Sequence, residues 1–372
     1  MSSPELAVRA LCDCLSYAVQ PSQNLALRTQ LNGGLWGDVL EAAANHGLSG
    51  ALGEAIARRG LAAGIPDLRL ANGQATVPQV LAEALAQHRA NREAKLMRLV
   101  ELTLLLNRNG IEPLLLKGAR SLWTGSPQWR SMGDLDLLVP GRAAEAQRLA
   151  LSIGYTSIGG YENPPDWHHE INLYRKDLPG WLEFHDRGAM YRADVLLPTP
   201  MLLEQSLSVV GPAGAVARVL PMPLDVLYCV VHHHISHRGD KFGILSLKGL
   251  YEFATAVDAM GEPEREALFV IARTHPRLLV MLDLWLAAAN ERLTLSILPP
   301  LILAEDAVRR WRKIDGRERR QGNYDGLLDE ISMALSSQRL RRTNGGRTWW
   351  GRQKLRAAAA QALLAPATIS AA

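Results

Sequence analysis

The chain has 372 residues, a net charge of +4, 48% hydrophobic residues and 21% charged residues. This composition excludes an intrinsically disordered chain, because it supplies enough apolar surface for a sizeable core. The most apolar long stretch, residues 278–289, contains Asp283 and is shorter than the roughly 20 apolar residues that a membrane span needs. The length allows two or three domains.

Cysteine usage and the amino-terminal segment bear on the cellular compartment. Cys12, Cys14 and Cys229 provide no paired framework of the kind found in small secreted proteins. Glu5 lies early in the chain, and no basic segment followed by an apolar run marks a secretory signal. We therefore expect a cytoplasmic protein.

The hydrophobic pattern predicts the elements in chain order. Apolar residues at helical spacing predict a helical region over residues 1–110, whose long last helix begins near Pro78 and stops at Asn107-Arg108-Asn109-Gly110. Next we expect a strand over 112–116, a helix over 120–123, an acidic strand ending at Val139, a helix over 142–153, and strands over 169–174 and 181–185 around a Pro179-Gly180 turn. Beyond about Pro198 the pattern is mostly helical, with helices expected from Pro221 and over 247–260, 263–274, 278–291 and 326–341.

Two carboxylates separated by one apolar residue open the acidic strand, in Asp134-Leu135-Asp136-Leu137. Alternate side chains of a strand point to the same face, so Asp134 and Asp136 are expected to lie together while the leucines pack inward. Adjacent carboxylates repel each other unless a cation lies between them. Carboxylate oxygens at this spacing suit Mg²⁺, and substrate phosphates complete its coordination. A solvent-facing strand edge is the alternative interpretation.

The segment from about Leu114 to His185 resembles the nucleotidyltransferase superfamily of the DNA polymerase β type, and more closely its bacterial branch of poorly characterised nucleotidyltransferase-like proteins. Its matching motifs are the turn Lys117-Gly118-Ala119, the pair in Asp134-Leu135-Asp136, and a later acid in Trp181-Leu182-Glu183-Phe184-His185. The resemblance implies an α+β fold, with a central nucleotidyltransferase-type mixed β-sheet and helices, flanked by amino- and carboxyl-terminal helical regions.

The resemblance also implies the chemistry. The expected reaction moves a nucleoside monophosphate from an NTP to an acceptor hydroxyl and releases pyrophosphate. Asp134, Asp136 and Glu183 are the expected catalytic residues and the expected ligands of Mg²⁺, with an NTP such as ATP as co-substrate. Glu183 is in addition the candidate general base that removes the proton of the acceptor hydroxyl.

Five residues are expected to bind the nucleotide. Gly118 and Ala119 would let backbone amides at a helix start approach the phosphates. Lys117 and Arg130 would neutralise triphosphate charge, and Arg130 offers bidentate geometry. His185 would contact a phosphate or support Glu183. The alternatives are surface cations for Lys117 and Arg130, and a structural polar strand face for both Glu183 and His185.

A histidine cluster, His232-His233-His234-Ile235-Ser236-His237, lies in the carboxyl-terminal half. On a helix His233 and His237 would face the same way, as in metal-binding pairs, with Asp240 as a nearby acid. The resembled family has a similar His-x3-His helix before a segment matched here by residues 247–252. The cluster is therefore interpreted as part of a helical lobe that closes on the active site, with zinc binding as the alternative.

The predicted organisation has four parts: a helical region over 1–110, a nucleotidyltransferase-like domain over 111–215, a helical domain over 216–342, and a basic, loosely ordered tail over 343–372. Residues 309–356 contain 14 Lys and Arg against five Asp and Glu. This segment predicts an RNA or acidic partner, or simply a solvated face. Two further hypotheses stay open: a nucleotide-binding module without turnover, since the turn has Gly-Ala in place of Gly-Ser or Gly-Gly, and a toxin-like modifier of RNA.

Overall fold

The computed structural model describes residues 4–17, 21–61, 76–157, 168–189, 191–236, 245–294 and 309. The amino-terminal region is helical as expected, with α1 (Pro4–Leu15), α2 (Pro21–Gln30), α3 (Trp36–Asn45), α4 (Ser49–Arg58) and α5 (Val77–Arg108), and a π-helical turn over Leu31–Leu35. The predicted helix over 326–341 and the predicted tail over 343–372 lie outside the described residues.

Local signals explain where α5 begins and ends. Thr76 caps the helix: its side chain accepts from the backbone N–H of Gln79, and the Gln79 side chain accepts from the backbone N–H of Thr76. Pro78 follows in the first turn, where its missing N–H costs nothing. After Arg108, Gly110 takes a φ of +67°, which ends the helix. The predicted start and stop of this helix are confirmed.

The strands of the described residues form one seven-stranded mixed sheet in the order β3-β4-β5-β2-β1-β7-β6. They are β1 (Leu114–Leu116), β2 (Asp134–Leu138), β3 (Thr156–Ser157), β4 (Leu173–Arg175), β5 (Leu178–His185), β6 (Leu207–Val210) and β7 (Val216–Val219). The pairs β2–β5 and β1–β7 are parallel, and the other pairs are antiparallel. The predicted α+β fold with flanking helices is confirmed.

The turn between β4 and β5 differs from the prediction. It lies at Lys176-Asp177, and Pro179-Gly180 belongs to β5. Arg175 closes the turn, because its Nε lies 2.7 Å from an oxygen of Asp177. Gly180, with a φ of +102°, is needed where the strand passes the carbonyl oxygen of Gly133, since a Cβ there would collide with that oxygen. The Pro-Gly pair marks a close approach of two backbones and not the hairpin turn.

A β6–β7 hairpin extends the sheet beyond β1, in a part of the chain where the sequence pattern predicted helices. The 3₁₀ turn Pro212–Gly214 joins the two strands. Both strands are short and rich in valine, and β7 pairs with Leu114 and Leu115 of β1. Short apolar runs have no decisive periodicity, so pairing with a distant strand decided their conformation.

The remaining helices follow in chain order. They are α6 (Lys117–Thr124), α7 (Ala143–Ser152), α8 (Tyr191–Asp194), α9 (Thr199–Gln205), α10 (Met222–Val231), α11 (Leu247–Ala259), α12 (Glu262–Arg273) and α13 (Pro276–Leu293), with a π-helical turn His232–Ser236. None of the helices in the described part of the chain is long and apolar enough to cross a membrane.

The two faces of the sheet have different surroundings. Leu135, Leu137 and Phe184 point to one face, where they form a buried core with residues of α5, α6 and α7. Leu116 and Leu138 point to the other face and join a second core with α9, α10 and the carboxyl-terminal helices. Alternation along β2 and β5 therefore directs the acidic residues toward the second face, next to α10.

Candidate functional site

Strands β2 and β5 bring two of the three predicted acids side by side. In this parallel pair Asp136 lies opposite Glu183, and Asp134 lies opposite Trp181. Side chains at paired positions of neighbouring strands point to the same face, so Asp134, Asp136 and Glu183 share one face of the sheet. His185, two residues after Glu183, shares that face as well.

Asp136 is the buried centre of the site, with no exposed surface. Its Oδ1 atom lies 2.7 Å from Lys117 Nζ and 3.1 Å from His185 Nε2. Burial alone would raise the pKa of Asp136, but the ammonium of Lys117 and the hydrogen bond with His185 outweigh it and hold this pKa well below its usual range. Asp136 Oδ2 is buried and has no hydrogen-bond partner among the described residues. The site thus contains an ionised carboxylate with one open oxygen.

Lys117 reaches Asp136 from the sharp turn that follows β1. Its φ of +48° is rare for a residue other than glycine, and the turn starts α6 directly at the end of the strand. Burial opposes the charge of the Lys117 side chain, yet the carboxylate of Asp136 prevails and raises the pKa of Lys117. The Lys117 side chain is only 13% exposed. It is therefore a mostly buried member of an ion pair and not a surface cation.

Glu183 is held in one orientation by His185 of the same strand and by side chains of the segment before β4. Asn172 Nδ2 donates to Glu183 Oε1 over 2.7 Å, while Oε2 lies 3.5 Å from His185 Nε2 and 3.9 Å from His169 Nε2. Burial would raise the pKa of Glu183, but its hydrogen bond with His185 leads to a net decrease. Glu183 is therefore ionised at neutral pH and oriented toward Asp136.

The donor set fits a bound cation. One oxygen of Asp136, one oxygen of Glu183 and one nitrogen of His185 all lie within 4.8 Å of one another. Ligands at about 2.0–2.3 Å from one ion are separated by such distances after small side-chain adjustments. The open Asp136 Oδ2 adds a buried acceptor that a cation would satisfy. Two of the three predicted metal ligands, Asp136 and Glu183, thus lie close together. His185 adds a third donor atom.

Asp134 lies at the edge of this group, half-buried. Its pKa is raised to about 6, first because the charge of Asp136 repels a second negative charge and then because of burial. Lys117 and Lys248 lower this pKa, but not enough to offset the repulsion and the burial. A cation that approaches Asp136 would relieve this repulsion.

We expect the Asp134→Asn variant of the metal-free protein to be more stable than the wild type at pH 8. The folded-state pKa of Asp134 is above its unfolded value, so its ionisation costs stability as pH rises from about 4 through about 6. After discounting for partial exposure, the gain is on the order of 1–2 kcal/mol at pH 8 and close to zero at pH 4. Urea unfolding at both pH values measures it.

The control for this variant is Asp177→Asn, which removes an exposed carboxylate paired with Arg175. The pKa of Asp177 is lowered by that hydrogen bond, so its removal should bring no gain at pH 8. Equal stability of wild type and Asp134→Asn at pH 8 would contradict the repulsion between Asp134 and Asp136.

The predicted nucleotide-binding residues of the turn are packed tightly. Gly118 and Ala119 are buried, and a Cβ at Gly118 would lie 2.9 Å from Met132 Cβ and 3.0 Å from Arg130 Nη1. Arg130 forms a two-point ion pair with Glu252, with distances of 2.9 and 3.0 Å. Gly118 is thus required by packing, and the Arg130 charge is engaged by Glu252. Their contacts with a triphosphate stay a prediction.

Residues 168–172 supply partners that the sequence pattern did not single out. His168 and His169 pack on His185, with ring centroids 5.2 and 5.1 Å from its own. Burial lowers the pKa of His168 to about 2, so its imidazole is neutral. Asn172 orients Glu183. The signal in the sequence is the polar run His168-His169-Glu170 shortly before Glu183, and the strand predicted over 169–174 includes only part of that run.

A second group of donor atoms lies in the helical part, where Cys229 Sγ and His233 Nε2 approach Glu252 Oε2 at 3.9 and 3.7 Å. Arg130 and Lys248 already neutralise this carboxylate, the latter with its Nζ 3.9 Å away. Two positive charges at one carboxylate disfavour an additional cation. His237 and Asp240, which the zinc interpretation needs, lie outside the described residues.

Two cavities lie in the described part of the chain near the site, and neither lining includes Asp134, Asp136, Glu183 or His185. One, of about 150 Å³, lies between α6, α10 and α11 and includes Lys117, Arg120, Arg130, Asp225 and Glu252 in its lining. The other, of about 270 Å³, is lined by residues of α5 and by residues on the approach to β2, among them Arg92, Lys95, Gly133 and Gly180. The first cavity reaches the site through Lys117, the ion-pair partner of Asp136, and the second through Gly133, the residue before Asp134.

The comparisons with known proteins add one match. A family model described as "Uncharacterised nucleotidyltransferase" matches residues 32–294, which is more than two thirds of the chain and includes every site residue discussed above. No curated protein matches the chain.

Proposed function

Because the chain belongs to the uncharacterised nucleotidyltransferase family, we propose that it transfers a nucleoside monophosphate from an NTP to an acceptor hydroxyl. The observation that carries the proposal is the parallel register of β2 and β5, which places Asp136 opposite Glu183 on one face. Nucleotidyl transfer needs neighbouring carboxylates, because they hold the divalent ions that neutralise the negative charge of the triphosphate.

The proposed reaction is an in-line displacement. The acceptor oxygen forms a bond with the α-phosphorus, the bond from that phosphorus to the bridging oxygen breaks, and pyrophosphate leaves. A divalent ion, Mg²⁺ in this proposal, would be held by Asp134 and Asp136, with Glu183 as the third acid beside them, and would neutralise phosphate charge when bound. Lys117 keeps Asp136 ionised and adds a fixed positive charge beside it.

Glu183 is the proposed general base. It is ionised because its pKa is lowered, and Asn172 holds one of its oxygens in place. The proton of the acceptor hydroxyl would move to the other oxygen, Oε2. A base positioned in this way contributes to the rate only when the acceptor is bound, so its loss affects turnover more than nucleotide binding.

The Glu183→Gln variant is expected to lose about 10²-fold in the rate of nucleotidyl transfer while binding Mg·ATP nearly as well as the wild type. Single-turnover rates and calorimetry measure the two quantities separately. Glu145→Gln, which removes a surface glutamate paired with Arg142 on α7, is the matched control and should keep the wild-type rate. A Glu183→Gln rate equal to wild type would exclude Glu183 as the base.

The direct test of the proposed function uses the purified full chain, each of the four α-³²P-labelled NTPs in turn, Mg²⁺ and a fractionated cell extract as the acceptor source. The expected result is transfer of label to one extract component, with stoichiometric release of pyrophosphate. Loss of both signals in Asp136→Asn assigns them to this site. No transfer with any NTP would contradict the proposal.

One observation favours a second candidate, a nucleotide-binding module without turnover. Lys117 Nζ and His185 Nε2 both contact Asp136 Oδ1, so side-chain donors already occupy one oxygen of the central carboxylate. Such a module would bind Mg·ATP in calorimetry and release no pyrophosphate over hours in the presence of the extract. Pyrophosphate release that depends on Asp136 would exclude it.

A further inference from the structure

The cluster of Asp136, Glu183 and His185 contains one nitrogen donor, and that nitrogen affects which metal ion the cluster prefers. We infer that Asp136, Glu183 and His185 form a mixed nitrogen–oxygen site that takes a first-row transition ion in preference to Mg²⁺. Asp134 and Asp136 then offer a separate position with oxygen ligands alone, which suits Mg²⁺. This inference rests on the proposed function and concerns the identity of the ions that the same site would use.

His185 lies where a metal ligand would lie, since its Nε2–H donates to the acids in the metal-free protein and a bound cation would take the place of that proton. Its Nε2 atom lies 3.1 Å from Asp136 Oδ1 and 3.5 Å from Glu183 Oε2, so the nitrogen faces the space between the two carboxylates. His185 is 1% exposed, and its other nitrogen has no hydrogen-bond partner among the described residues. The polar contacts that orient this buried ring are therefore those with the two acids.

The strand register explains why His185 reaches this position. His185 lies opposite Leu138 in the parallel pair, two residues beyond the Asp136–Glu183 pair and on the same face. The ring then extends back along the strand over Glu183 to Asp136. A shift of one residue would turn the imidazole to the leucine-rich core, so the nitrogen donor follows from the register of β2 and β5.

Coordination chemistry makes this nitrogen selective. Mg²⁺ binds oxygen ligands, requires near-ideal octahedral geometry and loses its water molecules reluctantly. Imidazole nitrogen binds the first-row transition ions more strongly, and their affinities rise along the series from Mn²⁺ to Cu²⁺. Asp136 is fully buried, and little water reaches the ring of His185. A buried site with one imidazole and two carboxylates therefore disfavours a strongly hydrated Mg²⁺.

His169 supports the same site from outside. Its Nε2 lies 3.9 Å from Glu183 Oε2, and its Nδ1 lies 2.7 Å from the carbonyl oxygen of Glu170. A histidine placed behind a ligating carboxylate, together with Asn172 on the other oxygen, restricts the orientation of Glu183. Partners of this kind tune metal affinity without touching the ion.

The probe is Mn²⁺, because its electron paramagnetic resonance signal reports both binding and the type of ligand. The metal-free full chain is titrated with Mn²⁺ in the presence of excess Mg²⁺ and without nucleotide. We expect one Mn²⁺ per chain bound at least about tenfold more tightly than Mg²⁺, with ¹⁴N coupling in the pulsed spectrum. His185→Gln should remove this coupling and weaken Mn²⁺ binding about tenfold or more, with Mg²⁺ binding much less affected.

His275→Asn is the matched control, because it removes a histidine from the start of α13 and keeps a side-chain acceptor for the backbone N–H of Arg277. It should retain the ¹⁴N coupling. Coupling that persists in a folded His185→Gln, or Mn²⁺ bound without nitrogen in the wild type, would overturn the inference. The wild-type spectrum decides the question even if His185→Gln does not fold.

These outcomes are distinct from failure of the proposed function. Nucleotidyl transfer supported by Mg²⁺, together with a wild-type Mn²⁺ spectrum that lacks nitrogen coupling, would refute the mixed site and leave the transferase intact. Tight Mn²⁺ binding with ¹⁴N coupling but no pyrophosphate release with any NTP would refute the transferase and leave the metal site.

Discussion

The Asp136→Asn variant is expected to lose at least about 10³-fold in nucleotidyl transfer, the largest catalytic effect of any single substitution in the site. Asp136 is adjacent to every other charged group there: Lys117, His185, Glu183 across the strand pair, and Asp134 two residues earlier. Amide substitution keeps the size of the side chain but removes the negative charge that a cation needs. Pyrophosphate release under single-turnover conditions measures the loss.

The control for this variant is Asp177→Asn, which removes an exposed carboxylate from the turn between β4 and β5. Its transfer rate should stay within about twofold of wild type, as for most surface substitutions. Circular dichroism gives the folded fraction by which each rate is normalised. A normalised Asp136→Asn rate within tenfold of wild type would remove Asp136 from the catalytic centre.

The Lys117→Met variant is expected to lose about 3 kcal/mol in the free energy of unfolding at pH 7. It leaves a fully buried Asp136 without its nearest positive charge, and His185 alone compensates only in part. The folded-state pKa of Asp136 is below its unfolded value, so the contribution of the ion pair is present above the unfolded pKa. It decreases as pH falls toward the folded-state pKa, and the difference between variant and wild type should shrink in acid.

Urea unfolding of the metal-free protein at pH 7 and at about pH 3, below the unfolded pKa of an aspartate, measures this difference. Lys176→Met, which removes an exposed lysine, is the matched control and should change stability by less than about 0.5 kcal/mol. The double variant Lys117→Met/Asp136→Leu should recover most of the loss, because replacing both partners of a buried pair leaves no charge uncompensated. Unchanged stability of Lys117→Met would show that Asp136 is not charged in the folded protein.

Much of the site was predictable from sequence because its key positions lie on strands with a simple period. The spacing of Asp134 and Asp136 places both on one face whatever surrounds them, and the structure contains that strand. The motif with Glu183 matched a known family pattern, and the register places Glu183 opposite Asp136. The catalytic and metal-binding roles of these residues remain proposals.

Other features depended on residues far apart in the chain. Arg130 was predicted to bind phosphate, but its guanidinium meets Glu252, which is 122 residues away. Pro179-Gly180 was predicted to form a turn, but it belongs to β5, and Gly180 allows the close approach of its backbone to Gly133. The β6–β7 hairpin gave no strong local signal. Each of these outcomes depends on contacts between residues that are far apart in the chain. Such contacts cannot be predicted from a short stretch of neighbouring residues.

The sequence by itself determined the local structure: the capped start of α5 at Thr76, the stop at Gly110, and the common face of Asp134 and Asp136. These features follow from hydrogen bonds within a few residues and from backbone periodicity, so they need no tertiary contact. Only the tertiary structure decided that Lys117 and His185 converge on Asp136, because strand register and the turn after β1 set these distances. The nitrogen donor that distinguishes this site is a product of the fold.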